Sequence, residues 1–163
     1  MKKTYLVSLL FLSLAAIGQT KKQSKPNSQV TINSLIYYLD NLKLENADDY
    51  FLSRGYRYDG SPKMGDTITV VYKMDNSFTR ISLHILNNKK IYSSFYTNLE
   101  ESALNLLNSA KRIGFVVTKN VFQKNIVITT YKHGNYLLMS TKRFYPEDHQ
   151  TTFTILLCNL TAS

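Results

Sequence analysis

The sequence predicts an α+β fold: an antiparallel sheet packed against helices, written as two tandem helix-plus-four-strand repeats. Three observations lead there. First, Leu99, Ala103, Leu106, Leu107 and Ala110 recur at helical spacing, and Gly114 then offers the left-handed conformation that closes a helix. Phe115, Val116 and Val117 follow at once and favour a strand. Second, a weaker copy lies upstream, where Ala47, Phe51, Gly55, Tyr56 and Tyr58 stand in for Leu106, Ala110, Gly114, Phe115 and Val117. Third, the glycines are 114 − 55 = 59 residues apart, and the later strands keep that offset: Ile68 falls on Val127, and Tyr72-Lys73 on Tyr131-Lys132.

Before the fold comes an export signal. Met1-Lys2-Lys3 is positive, Tyr5 to Ile17 is apolar, and Ala16 and Gly18 suit the −3 and −1 positions of a cleavage before Gln19. Residues 1–18 are therefore expected to be a secretory signal peptide. The apolar run is shorter than the roughly 20 residues that span a bilayer, which argues against an uncleaved anchor. No cysteine follows the run, so a lipoprotein is not expected. Residues 19–30 read as a flexible basic linker carrying Lys21, Lys22 and Lys25. Residues 31–163 read as one domain, with repeats at about 33–96 and 97–160.

Within the domain, Leu35, Ile36, Leu39 and Leu42 have helical spacing after Asn33. Leu44 to Leu52 reads as a second short helix, with Asn46 and Asp49 to cap it and Gly55 to end it. Tyr56 and Tyr58 open a strand that breaks at Asp59-Gly60-Ser61-Pro62. Asp66 to Met74, Phe78 to Leu86 and Lys90 to Tyr96 follow as strands joined by Asp75-Asn76 and Asn87-Asn88-Lys89. The second half repeats the scheme. Its helix is expected to begin at Asn98, with Glu101 completing a capping box. Strands are expected over 114–119, 125–132, 136–143 and 152–159. Hairpins with one wet face and helices laid on the other are the expected packing. This order resembles other duplicated helix-plus-four-strand proteins, such as β-lactamase inhibitory proteins and small outer-membrane assembly factors. The likeness is one of layout, with no shared motif, and layout speaks to fold rather than function.

Charge narrows the partners. The chain has 20 basic and 11 acidic residues. Removing Lys2 and Lys3 leaves 18 against 11, and setting the linker lysines aside leaves 15 against 11, a net +4 for the domain. No basic cluster beyond a pair occurs within it, so nucleic-acid binding is not expected. The linker lysines could brush an acidic polymer by counterion release. Twelve tyrosines and no tryptophan suit a β-rich exported domain, where tyrosine packs its ring and keeps its hydroxyl wet.

Little catalytic chemistry is legible. Cys158 is the lone cysteine, expected to be buried and quiet beside Phe153, Ile155 and Leu157. His133 falls in a turn, and Glu147-Asp148-His149 is a loop whose consecutive ligands do not converge on a metal. No phosphate loop, nucleophile elbow or His-Glu-x-x-His appears, so no catalytic residue, cofactor or metal is assigned. The sequon Asn159-Leu160-Thr161 matters only in a eukaryotic host.

Surfaces remain. Tyr56 and Tyr58 on one strand, with Arg80 and His84 on another, are expected to form a wet sheet face suited to a protein or glycan. The first functional expectation is an exported, periplasmic or secreted, non-enzymatic binding module of the bacterial envelope. A basic envelope-surface or polymer-binding protein is the alternative, and a hydrolase with dispersed active-site residues the third.

Overall fold

A computed structural model describes residues 29–75 and 77–161; the expected signal peptide and most of the linker, residues 1–28, lie outside them. The first helix, α1 (Ile32–Asp40), starts earlier than the position of Asn33 suggests. Thr31 caps it: its Oγ1 accepts the Ser34 N–H at 3.3 Å, and Ser34 Oγ accepts the Thr31 N–H at 3.3 Å. That reciprocal pair satisfies two amides the helix itself cannot bond. At the other end, Lys90 reaches across from the sheet and donates its ammonium to the carbonyls of Tyr38 and Leu42, where the helix dipole favours a cation.

A 3-10 turn over Leu44–Asn46 leads into α2 (Ala47–Leu52), and Asn46 makes no side-chain cap bond. Asp48 in its first turn instead accepts the Tyr72 hydroxyl at 2.7 Å. The third helix, α3 (Glu100–Arg112), begins two residues after Asn98, and the expected capping box does not form. Thr97 takes over, its Oγ1 accepting the Leu99 N–H at 3.1 Å. Ala103, Leu106 and Ala110 are fully buried, while Leu99, at the margin of the stripe, is 52% exposed.

Gly114 closes α3 as expected. Its N–H donates to Lys111 O at 3.1 Å, the Phe115 N–H donates to Ala110 O at 3.1 Å, and its φ of 101° is the positive value this double cap needs. Gly55 also has a positive φ, 81°, but it lies one position further past its helix. There Arg54 and Gly55 donate to Phe51 O and Leu52 O in a tight 3-10 winding.

Nine strands form one antiparallel sheet among the described residues. They are β1 (Tyr56–Gly60), β2 (Lys63–Met64), β3 (Thr67–Met74), β4 (Arg80–Leu86), β5 (Lys89–Thr97), β6 (Val116–Gln123), β7 (Ile126–His133), β8 (Tyr136–Tyr145) and β9 (Gln150–Asn159). Their order is β1-β3-β4-β5-β9-β8-β7-β6, with β2 also paired to β3. The two halves meet along β5 and β9, where Ser93 opposes Leu157 and Phe95 opposes Ile155. Each outermost strand carries one register shift, between Tyr58 and Gly60 in β1 and between Val117 and Lys119 in β6. These bulges also stand 59 residues apart, 117 − 58 and 119 − 60.

Strand alternation makes the sheet two-faced. Tyr72, Ile81, Leu83, Phe95, Leu138, Ile155 and Leu157 point to the helices and are buried. An aromatic cluster locks α2 to the sheet: Phe51 stacks on Tyr72 at 4.2 Å and meets Tyr38 at 5.0 Å and Tyr56 at 6.1 Å. The same alternation corrects the expectation for Cys158. Phe153, Ile155 and Leu157 face the helices, so Cys158 faces the other way and is only half-buried. Its Sγ lies 3.6 Å from Leu137 O, and burial pushes the thiol pKa up, which disfavours the reactive thiolate.

Candidate functional site: the helix-free face of the sheet

Among the described residues the opposite face carries no helix. Across it, Thr69, His84, Tyr92, Cys158 and Leu137 stand side by side on successive strands. The next row is Val71, Ser82, Ser94, Leu156, Met139 and Thr130. All of these are half-buried by their neighbours alone. A face so built has apolar side chains at its centre, hydroxyls between them and little rotamer freedom left to lose on binding.

Of the four residues expected on a binding face, this face brings together two, Arg80 and His84. Tyr58 pairs with Tyr72, which faces the helices, so Tyr56 and Tyr58 point the same way. Tyr56 is a core residue, 1% exposed, packed against Phe51. Its hydroxyl has no partner among the described residues, and burial pushes its pKa up to about 12. Tyr58 is 57% exposed beyond the edge of the helical layer, and its hydroxyl lies 2.7 Å from Ser61 Oγ. Arg80 Nε stands 3.4 Å from Asp59 Oδ2, an ion-pair distance without hydrogen-bond alignment.

His84 sits in a made-to-measure slot. Its Nδ1 lies 2.9 Å from Thr69 Oγ1, its Nε2 lies 3.2 Å from Ser94 Oγ, and its ring stacks on Tyr92 at 3.9 Å. Both partners are hydroxyls, which serve either tautomer but bring no negative charge. Burial therefore lowers its pKa from 6.5 to about 4, and the imidazole is neutral at pH 7. The unfolded chain takes up this proton near pH 6.5 while the folded one resists it down to about 4. Stability from His84 is complete above the higher value and lost as pH falls toward the lower. Discounted for partial exposure, we expect a loss of about 1–2 kcal/mol between neutral pH and pH of about 4.5. Urea midpoints at the two pH values will measure it, and His84→Gln should lose that part of the slope.

Charge is unevenly shared. Arg57, Lys73, Arg80, Lys119, Lys132 and Arg143 point to the open side, where Asp75 and Asp59 pair with Arg57 and Arg80, whereas Asp40, Glu45, Asp48, Asp49, Glu100 and Glu101 belong to the helical layer together with Lys43, Arg54, Lys111 and Arg112. At one end of the face a hollow of about 350 Å³ is lined by Tyr96, Thr141, Arg143, Tyr145, Thr152 and Thr154. Sequence reasoning passed over these residues. Their signal was the period-two placing of Thr152 and Thr154 in the last strand and of Thr141, Arg143 and Tyr145 opposite them.

No protein-family model, curated protein or solved structure matches the chain. Among the described residues no three His, Cys, Asp or Glu side chains converge as metal ligands, and no helix is long and apolar enough to cross a membrane.

Proposed function

We propose that this is an exported, non-enzymatic interaction module of a bacterial cell envelope that binds a partner protein on its helix-free sheet face. One observation carries the reading: among the described residues three helices lie on a single side of the nine-stranded sheet, and no described element is laid over Val71, Tyr92, Leu137, Met139 and Leu156, which are half-buried on the other side. An apolar centre ringed by hydroxyls and cations has the composition of a recognition surface, with aromatic anchors at low entropic cost. The excess of cations on this side favours a partner with an acidic rim. Export rests on the charged start, short apolar run and small residues of the first 18 positions.

The same proposal reads the chain as a duplicated unit at about 33–96 and 97–160. In its support, one offset of 59 relates the two positive-φ glycines, the two edge bulges and the buried pair Tyr72 and Tyr131. A second reading, binding of an acidic polymer, is favoured by Lys21, Lys22 and Lys25 in the linker.

A photo-crosslinking residue at Leu156, on the open face, tests the proposal against one at Leu104, on the helical side and 48% exposed. In native cells the Leu156 variant should give a discrete protein adduct that survives moderate salt, and the Leu104 variant should not. A diffuse adduct that vanishes with salt would favour the polymer. Equal adducts from both positions would remove the open face as the binding surface.

A further inference from the structure

We infer that the hollow beside β8 is a carboxylate-binding subsite anchored by Arg143, an inference that rests on the interaction-module reading and gives it a chemistry. The register builds the site. Arg143 opposes Thr152, Thr141 opposes Thr154, and Thr154 opposes Tyr96 on the next strand, so three hydroxyls and a guanidinium share one concavity. Tyr145 walls its outer end.

Among the described residues Arg143, like Lys73, Lys119 and Lys132 on the same face, has no carboxylate partner, and of these four it is the one that lines the hollow. The other well-defined arginine and lysine pairs are intramolecular: Arg57 with Asp75 at 2.9 Å, Arg80 with Asp59 at 3.4 Å and Lys142 with Glu100 at 3.1 Å. Among the described residues no carboxylate lies within ion-pair distance of Arg143. Its Nη1 has a 3.5 Å contact to the Tyr145 hydroxyl, too long to be strong, and its guanidinium stands 5.9 Å from that ring. Glu147 and Asp148, in the turn beyond Tyr145, do not line the hollow.

A guanidinium presents a rigid fork of donors that matches a carboxylate with two parallel hydrogen bonds. The threonine hydroxyls can donate to the oxygens the fork leaves open. The rings of Tyr96 and Tyr145 offer flat apolar walls to the carbon skeleton behind the acid. At about 350 Å³ the hollow suits one side chain or one sugar ring, near the small end of ligand sites. Such a carboxylate can come from an acidic side chain of a partner protein or from a uronate unit of a polymer.

The test is a titration of the full chain, 15N-labelled, with end-blocked triglutamate, with trigalacturonate and with end-blocked triglutamine. Saturable shifts at the Arg143 side chain and at the Thr152 and Thr154 amides are expected with at least one of the two acids and not with triglutamine. A response to triglutamate alone identifies a protein source, and a response to trigalacturonate alone a polymer source. Arg143→Gln should weaken binding by about tenfold or more, and Arg143→Lys, which keeps the charge and loses the fork, should fall between. Silence toward both acids, equal response to triglutamine, or unchanged affinity in Arg143→Gln would overturn the subsite. If Leu156 still captures a discrete protein while Arg143 is silent, the subsite falls and the interaction module stands. If Leu156 captures nothing and Arg143 still binds acid, the opposite holds.

Discussion

Phe51→Ala is expected to lower folding stability by about 3–5 kcal/mol, the range for deleting a large side chain from a rigid core. Phe51 is fully buried and touches three layers of aromatic structure at once: Tyr38 on α1, Tyr72 on β3 and Tyr56 at the start of β1. Removing it leaves a void that rings cannot collapse to fill, because their rotamers are fixed by one another. The loss compares with a typical total of about 5–15 kcal/mol, so the variant should sit near the edge of folding. Phe51→Leu, which keeps most of the volume, should cost clearly less. Tyr56→Phe is the informative companion. Among the described residues the buried Tyr56 hydroxyl has no partner, so its removal should be neutral or stabilising even though Tyr56 is as buried as Phe51. Urea melts of the three variants measure all of this, and a Tyr56→Phe variant as weak as Phe51→Ala would show that the hydroxyl does find a partner.

Gly114→Val is expected to cost about 2–4 kcal/mol, from two separate causes. The φ of 101° lies where a Cβ collides with its own backbone, and β-branching makes that worse. A Cβ here would also come within 3.1 Å of His133 Nδ1 and 3.2 Å of its Cε1. His133 lies at the end of β7 rather than in the turn the sequence suggests, and its exposed side chain can swing aside, so backbone strain is the larger share. Gly114→Ala should therefore recover only part of the loss. Gly55→Val, with a φ of 81° but a looser winding around it, should cost less, about 1–2 kcal/mol. Equal losses at the two glycines would mean that the tighter cap around Gly114 adds nothing.

Much of this architecture is legible in the sequence because it is local. Helical spacing finds α3, a glycine with an apolar stripe before it finds the stop, and Asn-Asn and His-Gly-Asn find two of the hairpin turns. The start of α1 was hidden because Thr31 and Ser34 form a capping box in which serine replaces the usual glutamate. What local pattern cannot give is which face of a strand the helices will cover. Tyr56 and Tyr58 look like a wet aromatic pair until β1 is seen to lie beside β3 under α2. In Ile155-Leu156-Leu157-Cys158 the apolar run is unbroken, so the alternation that sends Leu156 and Cys158 to the open side leaves no mark. The hollow around Arg143 is less legible still, because β5, β8 and β9 supply it and only their register brings them together.

The seam between β5 and β9 also sets a clock. Residues 92–97 must wait for residues 153–158 before the middle of the sheet can close, a separation of about sixty residues that no local contact shortens. Until β9 arrives, the inner edges of both β5 and β8 stand bare, and two incomplete half-sheets with open apolar flanks coexist in one chain. β9 has therefore to be in place before the sheet can close, and a chain cut short before residue 150 would expose two strand edges ready to pair with a neighbour. Exposure of strand edges is greatest while β9 is still unpaired, and it falls when that one ten-residue strand slides into the gap.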